Sequence, residues 1–301
     1  MNELRNKIGE KLPDQPLYHY TSMDGLMGIL ENKEIYASSI LHLNDTKEYF
    51  EGVSIIDEVF KKKKAGARQD QNFFDDVEKT KDIFNEKDVF VSSFSEHDDQ
   101  LSQWRGYTPA NSGYSVGFDF IRDKFTEKNT KWLDKDGSFI LSQCIYDEAK
   151  KYKKADQLVD QFAAQWRDDR NEPEIGLQTG SQKWHVAPRS VIFYLFFRTV
   201  LASVCKNSSF SEEVEWRLIY IKPDKSMIKF RKGLSSLIPY MKIPLDPSPP
   251  ESSDKYAEIC RVVIGPTPNK DLAESALKRF IETSDKSIIS VSQSAIPYRS
   301  W

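Results

Sequence analysis

Leu17-Tyr18-His19-Tyr20-Thr21, Ser22-Met23-Asp24-Gly25-Leu26-Met27-Gly28-Ile29-Leu30 and Glu34-Ile35-Tyr36-Ala37-Ser38 are three consecutive segments whose reading decides the fold class. The first is short and aromatic and reads as a strand. The second places Leu26, Ile29 and Leu30 at helical spacing, with Asp24 in the first turn and Thr21 or Ser22 as the N-cap. The third alternates again and reads as a second strand. A strand, a helix and a strand within so short a span point to a sheet with helices packed on it.

The rest of the chain extends that pattern. Asp45–Lys62 and Gln71–Phe84 have helical spacing, and a short helix is expected around Leu101–Arg105. Strands are expected at Asp88–Phe94, Tyr114–Phe118 and Phe139–Tyr146. Asp147–Arg170 reads as a solvated helix, residues 171–180 as a loop, and Val191–Val204 as a helix apolar nearly all round, hence buried. The last third returns to strands at Val214–Ile221, Met227–Phe230, Ile238–Ile243 and Ile259–Ile264, with a Pro/Ser-rich surface loop at Asp246–Ser253. A helix at Asn269–Thr283 and a strand at Ser287–Val291 close the chain. The expected fold is α+β, one domain over residues 1–301, with a mixed, mainly antiparallel central sheet and helical insertions.

Charge and composition exclude several function classes. In 301 residues, 43 Lys and Arg face 46 Asp and Glu, a net charge of −3, so no bulk basicity favours a nucleic acid. Cys144, Cys205 and Cys260 are far apart and without metal-site spacing, which suggests reduced thiols in a cytoplasmic protein. The strongest apolar run, Val191–Phe197, falls far short of the roughly 20 residues of a membrane span. Phosphate loops of the GxxxxGK[ST] and GxGxxG types are absent, as is GxSxG, and no histidine pair suits a helical metal site.

Four blocks can carry chemistry. In Tyr18-His19-Tyr20-Thr21, strand alternation puts an imidazole and a hydroxyl on one side, beside a helix N-terminus suited to ribose or phosphate. The plain alternative is a His bonded to a backbone carbonyl. In Glu213-Val214-Glu215-Trp216-Arg217-Leu218, alternation sets Glu213, Glu215 and Arg217 on one strand face and Val214, Trp216 and Leu218 on the other. Two carboxylates so close raise one pKa unless a cation such as Arg217 offsets it; a solvated face with an incidental ion pair is the competing reading. Ser95 ends a strand, and Trp104, Arg105 and Tyr107 follow on a helix, where aromatics beside Arg suit the wall of a planar-ligand pocket. Asn44-Asp45-Thr46-Lys47-Glu48 reads first as a helix N-cap with a capping-box glutamate.

Taken in order, these blocks resemble a bacterial family known as domain of unknown function 2971. The residues that carry the resemblance are His19-Tyr20-Thr21, Asn44-Asp45 with Glu48, Phe94-Ser95 with Trp104 and Tyr107, Glu213–Arg217 and Ile264-Gly265-Pro266. It extends over about residues 17–266, with Thr46 standing where the family usually has proline. The strand–helix–strand opening also resembles, more distantly, the NAD-binding start of ADP-ribosyltransferases. That resemblance implies an NAD-using enzyme acting by transfer or NAD glycohydrolysis, as a bacterial toxin or phage-defence effector, with NAD as co-substrate and no metal. It assigns His19 to the ribose, Thr21 to the carboxamide and Tyr36 to nicotinamide stacking. Glu215 or Glu213 would act on the ribose 2′-hydroxyl and the oxocarbenium-like transition state, and Ser95, Trp104, Tyr107 and Arg217 would complete the ligand site. Two other readings stay open. One is a metal-dependent nuclease or nucleic-acid-binding defence component using Asp45, Glu48, Glu213 and Glu215; the other is a non-catalytic sensor or interaction module. The near-neutral charge favours a small, planar, phosphate-bearing nucleotide ligand over a polyanion or a membrane.

Overall fold

The computed structural model describes residues 13–43, 46–67, 69–83, 86–120, 138–169, 174–178, 184–221, 224–233, 235–245, 257–283 and 289–297. Asn44, Asp45 and the Asp246–Ser253 loop lie outside them. The opening unit is as expected: β1 (Leu17–Thr21), α1 (Met23–Asn32) and β2 (Glu34–Ser39). Ser22 is the N-cap, its hydroxyl accepting from the Gly25 amide at 3.1 Å. Lys33, with φ of 51°, ends α1 in a left-handed turn that sends the chain straight into β2.

Two helices follow, α2 (Thr46–Gly66) and α3 (Gln71–Thr80), then β3 (Val89–Ser95), α4 (Leu101–Tyr107), β4 (Tyr114–Phe120) and β5 (Ser138–Gln143). After α5 (Glu148–Asp168) comes a hairpin of β6 (Ile175–Gln178) and β7 (Trp184–Ala187), which puts strand into the expected 171–180 loop. The buried helix is α6 (Arg189–Val204). The chain ends with β8 (Glu215–Ile221), β9 (Lys229–Lys232), β10 (Leu237–Pro244), β11 (Ala257–Ile264), α7 (Lys270–Thr283) and β12 (Ser290–Gln293).

The main sheet runs β12-β11-β4-β1-β3-β2-β10-β9, with β8 on the other edge of β3 and β5 beyond β8. The β11–β12 ladder is parallel and the other described ladders are antiparallel, so the sheet is mixed and mainly antiparallel. Helices cover both faces. On one, α2, α3, α5 and α6 pack against Val89, Val91, Ile140, Ile219 and Ile221. On the other, α1 and α7 pack against Phe90, Phe118, Trp216, Leu218 and Tyr220. Every residue of β8 is buried, because both faces of the strand are covered.

The order β1-β3-β2 contains an interruption. β3 pairs with β1 at Ser95 and with β2 at Phe90 and Val91. Between these points β1 and β2 part, and among the described residues no strand pairs with the edge of β3 at Ser92–Phe94, although its other edge is fully paired to β8.

The helical layer is closely packed. Gly52 lets α2 approach the end of α6: a Cβ at this position would lie 2.9 Å from the Ala202 carbonyl oxygen and 2.9 Å from the Cys205 Cβ. Gly52→Val is therefore expected to cost about 1–3 kcal/mol through overpacking, measured by urea denaturation; unchanged stability would show that these helices are not in contact in solution.

Candidate functional site

The gap between β1 and β2 is closed by side chains. The His19 Nδ1 meets the Ser93 carbonyl at 2.9 Å, and the Ser92 hydroxyl donates to the Tyr36 carbonyl at 2.7 Å. A carbonyl only accepts, so Nδ1 carries the proton and Nε2 is left as an acceptor. Burial pushes the imidazole pKa down, against the carbonyl bond that raises it, which keeps the ring neutral. The His–carbonyl bond foreseen as the plain reading is therefore present, and it holds the ring at the wall of an opening.

That opening is a cleft of about 560 Å³, within the range of small-molecule sites. His19, Thr21 and the start of α1 line it from the β1 side, and Tyr36 and Ser38 from β2. Glu215, Arg217 and Tyr107 lie along it, as do His42 and Arg231. A recess of about 60 Å³ shares His19, Ser93, Tyr107 and Glu215 with the cleft, and adds Gln103 and Glu213. Thus His19, Thr21, Tyr36, Tyr107, Arg217 and Glu215 come together on one cleft, with Glu213 in the adjoining recess. Tyr36 is 41% exposed; its ring packs on Tyr240 at 4.6 Å between centroids, with the Lys242 ammonium 5.6 Å from its centre.

Two residues of the expected ligand site are elsewhere. Trp104 is buried edge-on against Tyr20, its Nε1 donating to Asp99 at 2.7 Å, and so makes core rather than pocket wall. Ser95 is buried too. Its hydroxyl donates to the Glu213 carbonyl at 2.7 Å and accepts from the His97 amide, tying the β3 end to the segment before β8. Aromatic and polar residues near a candidate site do not reveal from type alone which of their faces the core consumes.

The carboxylates also differ from a solvated strand face. β8 starts at Glu215; Glu213 ends a 3-10 turn spanning Ser208–Glu213, and Val214 has φ of 40°. A β-branched residue in the left-handed region is strained, and this bend brings Glu213 beside Glu215. Between them lies Lys206, 1% exposed. Its ammonium bonds Glu213 Oε2 and reaches Glu215 Oε2 at 2.7 Å. Arg217 donates to both Glu215 oxygens, at 2.9 and 3.1 Å, and to the Ser203 carbonyl at 2.7 Å. The Tyr107 hydroxyl donates to Glu213 Oε1 at 3.1 Å. Glu48, buried on α2, accepts the Asn207 amide at 2.9 Å, so it joins this network instead of merely serving its own helix end.

Burial would raise the Glu215 pKa, but Arg217 and Lys206 outweigh it and bring it from 4.5 to about 2. The expected offset by a cation is met, with Lys206 as a second cation that strand alternation could not find. Its signal in the sequence is a lone charge placed directly after the apolar run of α6, seven residues before Glu213. Among the described residues, no cluster of three or more His, Cys, Asp or Glu is arranged to hold a metal. No described helix is long and apolar enough to cross a membrane.

The matched segment of the chain begins on α4 and ends in β8. Residues 103–218 match the family described as Protein of unknown function (DUF2971). The DUF2971 match includes Tyr107, Lys206, Glu213, Glu215 and Arg217; His19, Thr21 and Tyr36 precede it. It is narrower than the 17–266 span of the expected resemblance. No curated protein and no solved structure matches the chain.

Two outcomes test the network. Lys206→Met leaves two buried carboxylates facing each other and should destabilise by roughly 3–5 kcal/mol in urea. Since the folded pKa of Glu215 lies below its ordinary 4.5, the unfolded chain binds more protons between 4.5 and about 2. The stabilisation from Glu215 is thus present above that window and is lost as pH falls through it. The urea midpoint should drop from pH 6 to pH 3 more steeply in the wild type than in Glu215→Gln; parallel profiles would contradict the assignment.

Proposed function

We propose that this protein is an NAD-consuming enzyme of the ADP-ribosyltransferase or NAD glycohydrolase type. The observation that carries the reading is the convergence of His19, Tyr36 and Glu215 on one cleft. His19 and Tyr36 come from the adjacent strands β1 and β2, whereas Glu215 comes from β8, far along the chain.

The neutral His19 offers Nε2 to a ribose hydroxyl, and the exposed part of the Tyr36 ring offers a surface to nicotinamide. As the glycosidic C–N bond breaks, its electron pair leaves with nicotinamide and the ribose gains oxocarbenium character. Water or an acceptor nucleophile then attacks the anomeric carbon and gives up its proton. Glu215 is already bonded by two cations, so its part is to hold Lys206 and Arg217 in place. Glu213 accepts one bond on each oxygen from Tyr107 and Lys206. It keeps lone pairs for a ribose 2′-hydroxyl in the recess. Preorganised negative charge beside a developing cation stabilises the transition state.

The nuclease alternative has less support. The Lys206 ammonium stands between Glu213 and Glu215 in the position a bridging cation would take, and Asp45 lies outside the described residues.

Incubation with NAD, followed by chromatography, is expected to show nicotinamide release. Glu213→Gln should lower the rate about 100-fold or more, and His19→Ala should lower it as well and also destabilise the fold by about 1–3 kcal/mol, because it leaves the Ser93 carbonyl unpaired. No release and no calorimetric NAD binding by the wild type would refute the proposal.

A further inference from the structure

Arg231 is a cation of the cleft that this mechanism leaves unused. It sits on β9, facing Ile238 in the β9–β10 ladder. β10 separates β9 from β2, so the two strands are about 9–10 Å apart. The Arg231 side chain nevertheless crosses β10, and its Nη2 donates to the Ser38 hydroxyl at 2.9 Å. Both residues line the cleft, together with His42.

Its pairing sets it apart from the neighbouring cations. Lys206 and Arg217 are held by Glu213 and Glu215, and Lys242 is held by Glu34 at 2.6 Å. Among the described residues, Arg231 bonds a neutral hydroxyl and no carboxylate. Asp24 and Glu34 also line the cleft. Glu34 is neutralised by Lys242, and Asp24 belongs to the first turn of α1, where the helix N-terminus favours its charge. A guanidinium has five N–H donors in a planar fork suited to phosphate oxygens, and Ser38 takes only one of them.

We infer that Arg231 recognises a phosphate or diphosphate group at the β9 side of the cleft, so that the ligand is a nucleoside diphosphate derivative rather than a phosphate-free nucleoside. This deepens the NAD reading and rests on it for the nucleoside part. The ribose would then lie toward His19 and Glu213, with the diphosphate toward Ser38 and Arg231.

Calorimetry at low salt with ADP-ribose, inorganic pyrophosphate and adenosine separates the claims. R231Q should weaken ADP-ribose and pyrophosphate about tenfold or more, and R231K should restore part of the loss. Adenosine affinity and the melting temperature should be unchanged, since Arg231 is exposed on a sheet-edge strand. ADP-ribose binding R231Q as tightly as wild type would overturn the inference and leave the NAD reading standing. Arg231-dependent pyrophosphate binding without any binding of NAD or ADP-ribose would uphold the anion site and refute the NAD reading. A wild-type protein that binds none of these probes would refute both.

Discussion

The structure depends on an unfinished strand edge. β3 is fully paired to β8 on one side, yet β1 and β2 share its other side and part at Ser92–Phe94. A buried backbone carbonyl left without a partner is costly. Here the His19 ring satisfies Ser93, and the Ser92 hydroxyl satisfies Tyr36. Side chains thus take over part of what a continuous ladder would have done, and the sheet opens between β1 and β2. The opening becomes a cleft, and because it passes between two strands it is lined from both sheet faces. Alternation puts His19 and Thr21 on the α1 side, whereas Ser38, Glu215 and Arg217 lie with Val91 and Ile219 on the helical-layer side.

The second constraint is electrostatic. Glu213, Glu215, Lys206 and Arg217 are all buried, and burying charges is costly unless each is paired. Apolar residues of equal volume could stabilise the region as well, so the network is better understood as a positioning device. It ties the end of α6, the turn before β8 and β8 itself to one geometry. Ser95, the Tyr146 hydroxyl and Glu48 clamp the same turn through the Glu213 carbonyl, the Glu215 amide and the Asn207 amide. The carboxylates therefore face the recess from a rigid base. The DUF2971 match covers this base, and the β1–α1–β2 unit before it supplies the opposite wall.

Much of this was legible in the sequence because local patterning and burial agree there. The β1–α1–β2 unit, the all-apolar α6 and the inward Trp216 and Leu218 each follow from periodicity. His19, Tyr36, Tyr107, Glu215 and Arg217 share a cleft as their motifs suggested. What escaped has a physical reason in each case. Alternation puts Glu213 in the strand because it cannot see the left-handed turn at Val214. Trp104 reads as a ligand wall because a sequence does not say which partner, here Tyr20, takes an aromatic face. Lys206 and Arg231 act through contacts with residues distant in space or across a third strand, and no local pattern marks such a reach. Residues 171–180 read as a loop because Pro173, Gly176 and Gly180 outweigh the short β6 segment.

A nucleotide is proposed to enter where β1 and β2 separate along β3. Hydrogen–deuterium exchange with and without excess NAD tests it most directly, since the amides of that opening report occupancy wherever the chemistry leads. NAD is expected to slow exchange in residues 17–26 and 34–38, with the helical layer of α2, α3 and α5 unchanged. Identical exchange with and without NAD, or protection confined to other parts of the fold, would contradict it.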